Sequence, residues 1–221
     1  MSNPLDRIEF VKPADIEGRS FEIITSELGD RVLDPENELV IKRCIHTSAD
    51  FDYADNLVFS EHAVTKAVEA LKNGACIITD TNMVKAGINK RVLAKFGGEV
   101  YNFVADPDVA AEAKERGITR SAVSMERGAA LGKPLIYAVG NAPTALIRLY
   151  EMMEEGTLPT PALIIGVPVG FVNVVESKEL IIGRTDVPYI GARGRKGGSN
   201  VAACICNALL YIASNNERLY M

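Results

Sequence analysis

The sequence predicts an α/β fold: a single three-layer α/β/α domain, residues 1–221, built on a mainly parallel sheet. Short apolar runs alternate with helical segments along the chain, the arrangement that produces right-handed crossovers between parallel strands. Runs such as 75–79 and 134–139 are almost continuously apolar, which is typical of strands buried on both faces. With 221 residues, 48% of them hydrophobic, the chain suits one domain with a substantial core.

The predicted elements follow in chain order. A helix over 13–29 precedes a second that runs from Asp34, its N-cap, and Pro35, its first helical residue, to His46. We expect these N-terminal helices, 13–46, to pack on the α/β core. Predicted strands follow at 57–59, 75–79, 99–103, 134–139, 162–167 and 187–190. Further helices are predicted at 60–73, with Ser60 as cap, and at 89–96, 107–116, 120–131, 142–155, 170–180 and 199–214.

The last helix, 199–214, is apolar nearly all round. A helix of this kind is buried, either inside its own domain or at a subunit interface. The sequence alone leaves both readings open, so a homo-oligomer is plausible on this ground.

Composition excludes several classes of protein. A net charge of -5 argues against a general nucleic-acid binder. No run approaches the roughly 18 apolar residues of a membrane span, and the N-terminus lacks a signal-peptide pattern. The four cysteines (44, 76, 204 and 206) show no Cys-x-x-Cys spacing, and only two histidines accompany them. We therefore expect a cytoplasmic protein without a metal site, a nucleic-acid partner or a membrane partner.

Four polar, glycine-rich loops follow predicted strands, at 80–83, 140–144, 166–171 and 191–200. Ligands of open parallel sheets bind beyond the carboxyl ends of the strands, so these loops predict a cleft at one edge. Any one loop could be an ordinary turn, since glycine and asparagine favour turns. The candidate ligand contacts in the first two loops are Asp80, Met83, Asn141 and Thr144.

The loop 191–200 is the strongest candidate. Arg193, Arg195 and Lys196 precede a helix N-terminus that Ser199 is predicted to cap. Backbone N–H groups, the helix dipole and basic side chains together favour anions there. The loop matches neither a P-loop nor a Rossmann fingerprint, which favours a carboxylate over a nucleotide. The alternative is a solvated basic loop.

His46 is one of two histidines and the better candidate for acid–base chemistry. The apolar face of its helix is formed by Val40, Ile41, Cys44 and Ile45. His46 lies off that face, three residues from Arg43 and therefore next to it on the helix surface. The helix C-terminus favours the imidazolium form, whereas the charge of Arg43 opposes it. A lone histidine is more often structural, and we interpret His62 in that way.

Six segments together resemble the precorrin-8X methylmutase family of cobalamin biosynthesis, which includes cobalt-precorrin-8 methylmutases. They are IEGRSF (16–21), KRCIHTSAD (42–50), DTNMV (80–84), GNAPTAL (140–146), GVPVGF (166–171) and RGRKGGS (193–199). Each segment alone is weak evidence, but the set is specific and extends over nearly the whole chain.

The resemblance implies an isomerase that moves a methyl group from C-11 to C-12 of a corrinoid polycarboxylate, a [1,5]-sigmatropic shift. The substrate would be precorrin-8X or cobalt-precorrin-8, and the product hydrogenobyrinate or cobyrinate. His46 corresponds to the family's active-site histidine, and Ser20 and Arg43 to substrate-binding positions. The resemblance also implies a homodimer, and the rearrangement requires no redox cofactor.

The mechanistic hypothesis is that His46, as imidazolium, protonates or hydrogen-bonds a ring nitrogen beside the migrating centre. Arg43 and the cations of 191–200 would then meet the peripheral carboxylates. Two alternatives remain open: a phosphosugar or nucleotide isomerase using the same anion site, and a corrinoid carrier that binds without conversion. The sequence leaves open whether the substrate holds cobalt and whether the product is released or passed to another enzyme.

Overall fold

Six strands form one sheet within residues 4–215, the part of the chain that this computed structural model describes. The strands are β1 Leu57–Phe59, β2 Cys76–Thr79, β3 Val100–Tyr101, β4 Leu135–Val139, β5 Leu163–Gly166 and β6 Tyr189–Ala192. Their order across the sheet is β1-β6-β5-β4-β2-β3. Only the edge pair β1–β6 is antiparallel, so the predicted mainly parallel sheet is confirmed.

Eleven α-helices accompany the sheet in the described part of the chain, after a short 3-10 turn at Pro4–Arg7. They are α1 Ile16–Leu28, α2 Glu38–Ser48, α3 Tyr53–Asn56, α4 Ala63–Lys72, α5 Asn82–Gly87, α6 Lys90–Lys95, α7 Pro107–Arg116, α8 Arg120–Ala129, α9 Pro143–Glu154, α10 Val174–Ile182 and α11 Ser199–Ala213. Over residues 4–215, none of these helices is both long enough and apolar enough to cross a bilayer.

The strand side chains alternate between two apolar cores, one on each face of the sheet. In β4, Ile136 and Ala138 join a core with residues of α2, α4 and α11. Leu135, Tyr137 and Val139 join a second core with residues of α8, α9 and α10. Every residue of β4 is buried, because helices cover both faces. The three-layer α/β/α architecture is therefore confirmed.

Helix α11 lies inside the fold. It packs against α2, α4 and α5 and against β4 and β5, and most of its residues are buried. Its apolar surface is thus covered by this chain and does not itself call for a second subunit. Helix α2 reaches the core through α11, and α1 packs in turn on α2.

The predicted start of α2, with Asp34 as N-cap and Pro35 as first helical residue, is wrong. The Asp34 carboxylate accepts the Glu36 N–H at 2.8 Å, which makes a separate turn before the helix begins at Glu38. Helix α2 also continues two residues past His46, to Ser48. The imidazole consequently lies within the last turn rather than at the final residue.

Further elements that differ from the prediction include α5, α10 and the start of α4. The sequence predicts a loop at 80–83, but Thr81 Oγ1 accepts the Val84 N–H at 3.1 Å and helix α5 starts there. Helix α10 begins at Val174 rather than 170, because Gly170 and Asn173 adopt positive φ of 138° and 55°. Ser60 does not cap α4: its hydroxyl accepts the Tyr189 N–H at 2.9 Å and ties β1 to β6.

Candidate active site

Asp80 organises the loops at the carboxyl edge of the sheet. It lies just after β2, is 1% exposed, and accepts three backbone N–H groups of the loop after β4. Oδ1 accepts from Gly140 at 3.0 Å, and Oδ2 accepts from Asn141 and Ala142 at 2.8 and 2.7 Å. Burial raises the pKa of Asp80 more than these bonds lower it. In the structure this carboxylate holds the neighbouring loop, and a ligand contact at Asp80 stays a prediction.

Ser199 also has a different role from the predicted cap. Gly198 occupies the N-cap position of α11, and Ser199 is the first helical residue. The Ser199 hydroxyl lies 3.0 Å from Thr81 Oγ1, which joins the starts of α11 and α5. A side chain at Gly140 would place its Cβ 2.7 Å from the Ser199 Cα, so glycine permits β4 and α11 to meet.

The remaining candidates of the first two loops differ in availability. Met83 is 69% exposed and Asn141 is also exposed, so both side chains face solvent near the sheet edge. Thr144 is half-buried, and its Oγ1 accepts a hydrogen bond from Thr119 Oγ1 at 2.8 Å. Met83 and Asn141 can meet a ligand directly, and the Thr144 hydroxyl, which accepts this one bond, can still donate to a ligand.

The segment 193–198, called here the basic loop, presents three exposed cations. The Arg193 Nε lies 3.6 Å from Glu179 Oε1, and the Arg195 guanidinium lies 5.3 Å from the Phe171 ring centre. Both side chains retain donors toward solvent. These cations, at the N-terminal side of α11, suit anionic groups.

Lys196 is the third cation of the basic loop, and two carboxylates hold it. Its Nζ lies 2.7 Å from Asp50 Oδ2 and 2.5 Å from Asp52 Oδ2. The hydrogen bonds to Asp50 and Asp52 raise the pKa of Lys196, and Lys196 in turn lowers the pKa of Asp50. Asp50 lies four residues after His46 along the chain. This ion pair thus connects the sheet edge to the segment that follows the histidine helix.

His46 lies in the last turn of α2 and is exposed. It borders an open cavity of about 340 Å³ that Ser20 and Ile23 of α1 and Phe51 also line. The imidazole ring centre lies 5.7 Å from that of Phe21. The structure therefore brings Ser20 and His46 to one cavity.

Arg43 is fixed in orientation beside this cavity. Its guanidinium lies 4.3 Å from the Tyr211 ring centre and 5.6 Å from that of Phe21. One terminal nitrogen, Nη2, pairs with Glu17 Oε1 at 2.6 Å, and the side chain is only 14% exposed. The buried Nε has no hydrogen-bond partner within the described residues. Arg43 is thus held by stacking and by a carboxylate, and an anionic ligand would share its guanidinium with Glu17.

Sequence reasoning missed several residues of this arrangement. Glu17 lies three positions before Ser20 and Phe21 one position after it, and the i, i+4 spacing of Glu17 and Phe21 places these two on one face of the helix. This spacing could have identified both residues from the sequence. Nothing in the sequence pairs Arg43 with Tyr211, or Lys196 with Asp50, since both contacts join distant segments.

No group of three or more metal-ligating side chains could hold a metal ion in the part of the chain that the structure describes. The fold and site define an α/β protein with an organised, cation-bearing sheet edge and an exposed histidine beside a cavity. Residues 15–212 match the family model described as precorrin-8X methylmutase, and the chain belongs to that family. It is accordingly an isomerase of cobalamin biosynthesis.

Individual relatives agree over nearly the full length. A cobalt-precorrin-8 methylmutase from Salmonella typhimurium is 46% identical over 206 residues, covering 90% of this chain and 95% of that protein. A precorrin-8X methylmutase from Pseudomonas aeruginosa is 39% identical over 204 residues, covering 91% and 97%. The crystal structure of precorrin-8X methyl mutase from Thermus thermophilus, 36% identical, has a TM-score of 0.82 and covers 92% of this chain and 100% of that one.

Proposed function

We propose that this protein moves a methyl group from C-11 to C-12 of a corrinoid polycarboxylate, precorrin-8X or its cobalt form. Hydrogenobyrinate or cobyrinate would be the product. The observation that carries this proposal is the position of His46, exposed on α2 and sharing a cavity with Ser20. Neither of the other readings, a carrier or a phosphosugar or nucleotide isomerase, has an observation in its favour beyond the cations.

His46 is the acid of the proposed mechanism. Its imidazolium lends a proton, or a hydrogen bond, to a ring nitrogen next to the migrating centre. This withdraws electron density from the π system and lowers the barrier to the [1,5] shift. The product is an isomer of the substrate, so the proton returns to His46 and no net proton is consumed. A positioned acid of this kind contributes on the order of 10²–10⁴-fold in rate.

Ser20 and Arg43 orient the substrate in this proposal. The Ser20 hydroxyl donates to the Ile16 carbonyl at 2.9 Å, which leaves its lone pairs to accept a hydrogen bond. Phe21 contacts both the His46 ring and the Arg43 guanidinium, so one aromatic side chain spaces the two charged groups. A substrate carboxylate would share Arg43 with Glu17, its present partner.

The cations of the basic loop bind further peripheral carboxylates of the macrocycle. Arg193 and Arg195 keep exposed donors, and Lys196 would exchange Asp50 or Asp52 for a substrate oxygen. Met83 and Asn141 provide apolar and amide contacts at the same edge. An acidic protein can bind a polycarboxylate in this way because local cations dominate the field at the site.

We also propose that the enzyme is a cytoplasmic homodimer. The cavity of about 340 Å³ beside His46 is at the small end for a ligand site, and a substituted macrocycle is larger. Exposed Phe10, Ile16 and Ile23, at 85%, 53% and 40%, offer apolar surface near α1 for a second copy. Sedimentation at micromolar protein tests this point, and a monomer there would contradict it.

The reaction is tested by absorption spectroscopy during incubation with precorrin-8X, with and without cobalt. Conversion to the more conjugated corrin chromophore under catalytic turnover is the expected result. Whichever form is converted faster is the preferred substrate. Stoichiometric binding without any spectral conversion would instead identify a carrier, and binding of phosphosugars in place of corrinoids would contradict the proposal.

A further inference from the structure

The basic loop, residues 193–198, is held against the segment after β5 through its own backbone. The Gly170 N–H donates to the Arg195 carbonyl at 3.3 Å, and the Gly198 N–H donates to the Val167 carbonyl at 2.9 Å. A Cβ at Gly197 would lie 2.1 Å from that same Val167 oxygen, and its φ is 158°. These contacts place the loop backbone in close, side-chain-free contact with its neighbour.

The side chain of Lys178 also holds the basic loop. It lies on α10, is 1% exposed, and donates from Nζ to the Gly194 carbonyl at 2.9 Å and the Lys196 carbonyl at 2.7 Å. Lysine is almost never buried to this extent unless its ammonium is paired. Here its partners are backbone carbonyls of the basic loop. Burial lowers the pKa of Lys178 to about 8.

The carbonyls of residues 194, 195 and 196 therefore all point inward, two to Lys178 and one to the Gly170 N–H. A carbonyl turned outward would present the negative end of its dipole to an arriving anion. Keeping three successive carbonyls inside removes that repulsion. The Arg193, Arg195 and Lys196 side chains of the same loop remain exposed.

We propose that Lys178 is a positioning residue that keeps the basic loop in its anion-binding conformation. The proposal rests on the proposed function in one respect, namely that this loop meets the substrate carboxylates. Lys178 does not itself touch the substrate, because its ammonium is covered and directed at the two carbonyls. Its role is transmitted through the loop backbone, so it affects substrate binding more than the chemical step at His46.

Lys178→Met tests the proposal, with Lys114→Met as control at an exposed lysine on α7. Trypsin cleaves after the basic residues of the loop, so the rate of cleavage after Arg193, Arg195 and Lys196 reports loop position without any substrate. In Lys178→Met we expect this cleavage to accelerate roughly tenfold while the far-ultraviolet spectrum is retained. We expect KM for the corrinoid to rise roughly tenfold, with kcat changing less than about threefold. Lys114→Met should match the wild type in all three measurements.

Unchanged cleavage in a folded Lys178→Met protein would overturn the proposal, whatever the activity. Faster cleavage with unchanged KM would also overturn it, since the loop would then not serve binding. A loss of kcat with normal KM would do the same. If Lys178→Met does not fold, Lys178→Gln is measured instead: its amide is shorter and uncharged but can still donate to a carbonyl, so we expect cleavage and KM to rise by less than in Lys178→Met, and unchanged cleavage would overturn the proposal. A wild type that converts no corrinoid would refute the proposed function, while the cleavage result would still show whether Lys178 holds the basic loop.

Discussion

Lys196 Nζ lies 2.7 Å from Asp50 Oδ2, and this ion pair links the basic loop to the segment just after the helix that carries His46. Asp52 shares the same ammonium at 2.5 Å. Such pairs at the protein surface contribute little to stability. These ion pairs affect substrate binding instead. Asp50 and Asp52 occupy the Lys196 ammonium, which a substrate carboxylate would need.

Replacing both Asp50 and Asp52 by Asn should therefore tighten substrate binding. We expect KM to fall roughly threefold at low salt, with the effect disappearing at high ionic strength as charges are screened. The measurement is KM as a function of salt concentration. The matched control is Asp108→Asn on α7, which removes an exposed partner of Arg127 and should leave KM unchanged. A higher KM in the double variant would show that these carboxylates help rather than compete.

Asp80→Asn should destabilise the protein. One carboxylate oxygen becomes an NH₂ group, which cannot accept the backbone N–H groups now bonded to Asp80. Leaving buried donors unpaired predicts a loss of about 2–4 kcal/mol in the free energy of unfolding, measured in urea. Asp106, an N-cap position without a side-chain capping bond, gives the control Asp106→Asn with little effect. Equal unfolding midpoints for the two variants would contradict the role assigned to Asp80.

The buried Lys178 predicts a pH dependence of stability. Burial lowers its folded pKa to about 8, against about 10.4 in an unfolded chain, so the unfolded state binds more protons between those values. Stability from this residue therefore rises as pH increases through that window, although the nearby Glu179 carboxylate works to raise the folded pKa. The stability of the wild type minus that of Lys178→Met should increase by about 2–3 kcal/mol from pH 7 to pH 10. A difference that stays constant would contradict an ammonium buried in this way.

Gly197→Ala should disrupt the basic loop far more than Gly194→Ala. Both glycines have positive φ, 158° and 73°, but only at 197 would a Cβ collide with a backbone oxygen. At 194 the cost is that of a left-handed residue alone, about 1–2 kcal/mol. We expect Gly197→Ala to raise KM at least about tenfold and to speed tryptic cleavage of the loop. Similar kinetics for the two variants would argue against a tightly seated loop.

Much of the fold could be predicted because each strand is short, apolar and bounded by polar loops. Residues 135–139 are buried on both faces, as their continuous apolarity indicated. The predicted helix starts are wrong where a side chain accepts a nearby backbone N–H, as at Asp34 and Thr81. The two predicted serine caps are wrong for a related reason. The hydroxyls of Ser60 and Ser199 form hydrogen bonds with distant segments instead of with their own helices.

The site was predictable in composition but not in its pairings. Helical spacing separated His46 from the apolar face of α2, and the basic loop followed from residue type alone. The partners of Arg43, Lys196 and Lys178 depend on contacts between segments far apart in sequence. The role of Asp80 depends on the neighbouring strand β4, because the loop after β4 supplies the three backbone N–H groups of residues 140–142 that Asp80 accepts. The sequence does not show that these two segments are neighbours.

The central claim, that His46 is the acid of the methyl migration, is tested most directly by comparing His46→Asn with His62→Asn. His62 is the other histidine, 63% exposed and bonded to Glu36, and asparagine tolerates its φ of 56°. The measurement is the rate of corrin chromophore formation from saturating substrate. We predict that His62→Asn converts substrate at the wild-type rate, while His46→Asn still binds it but converts it at least about 100-fold more slowly. Wild-type turnover by His46→Asn would contradict the account.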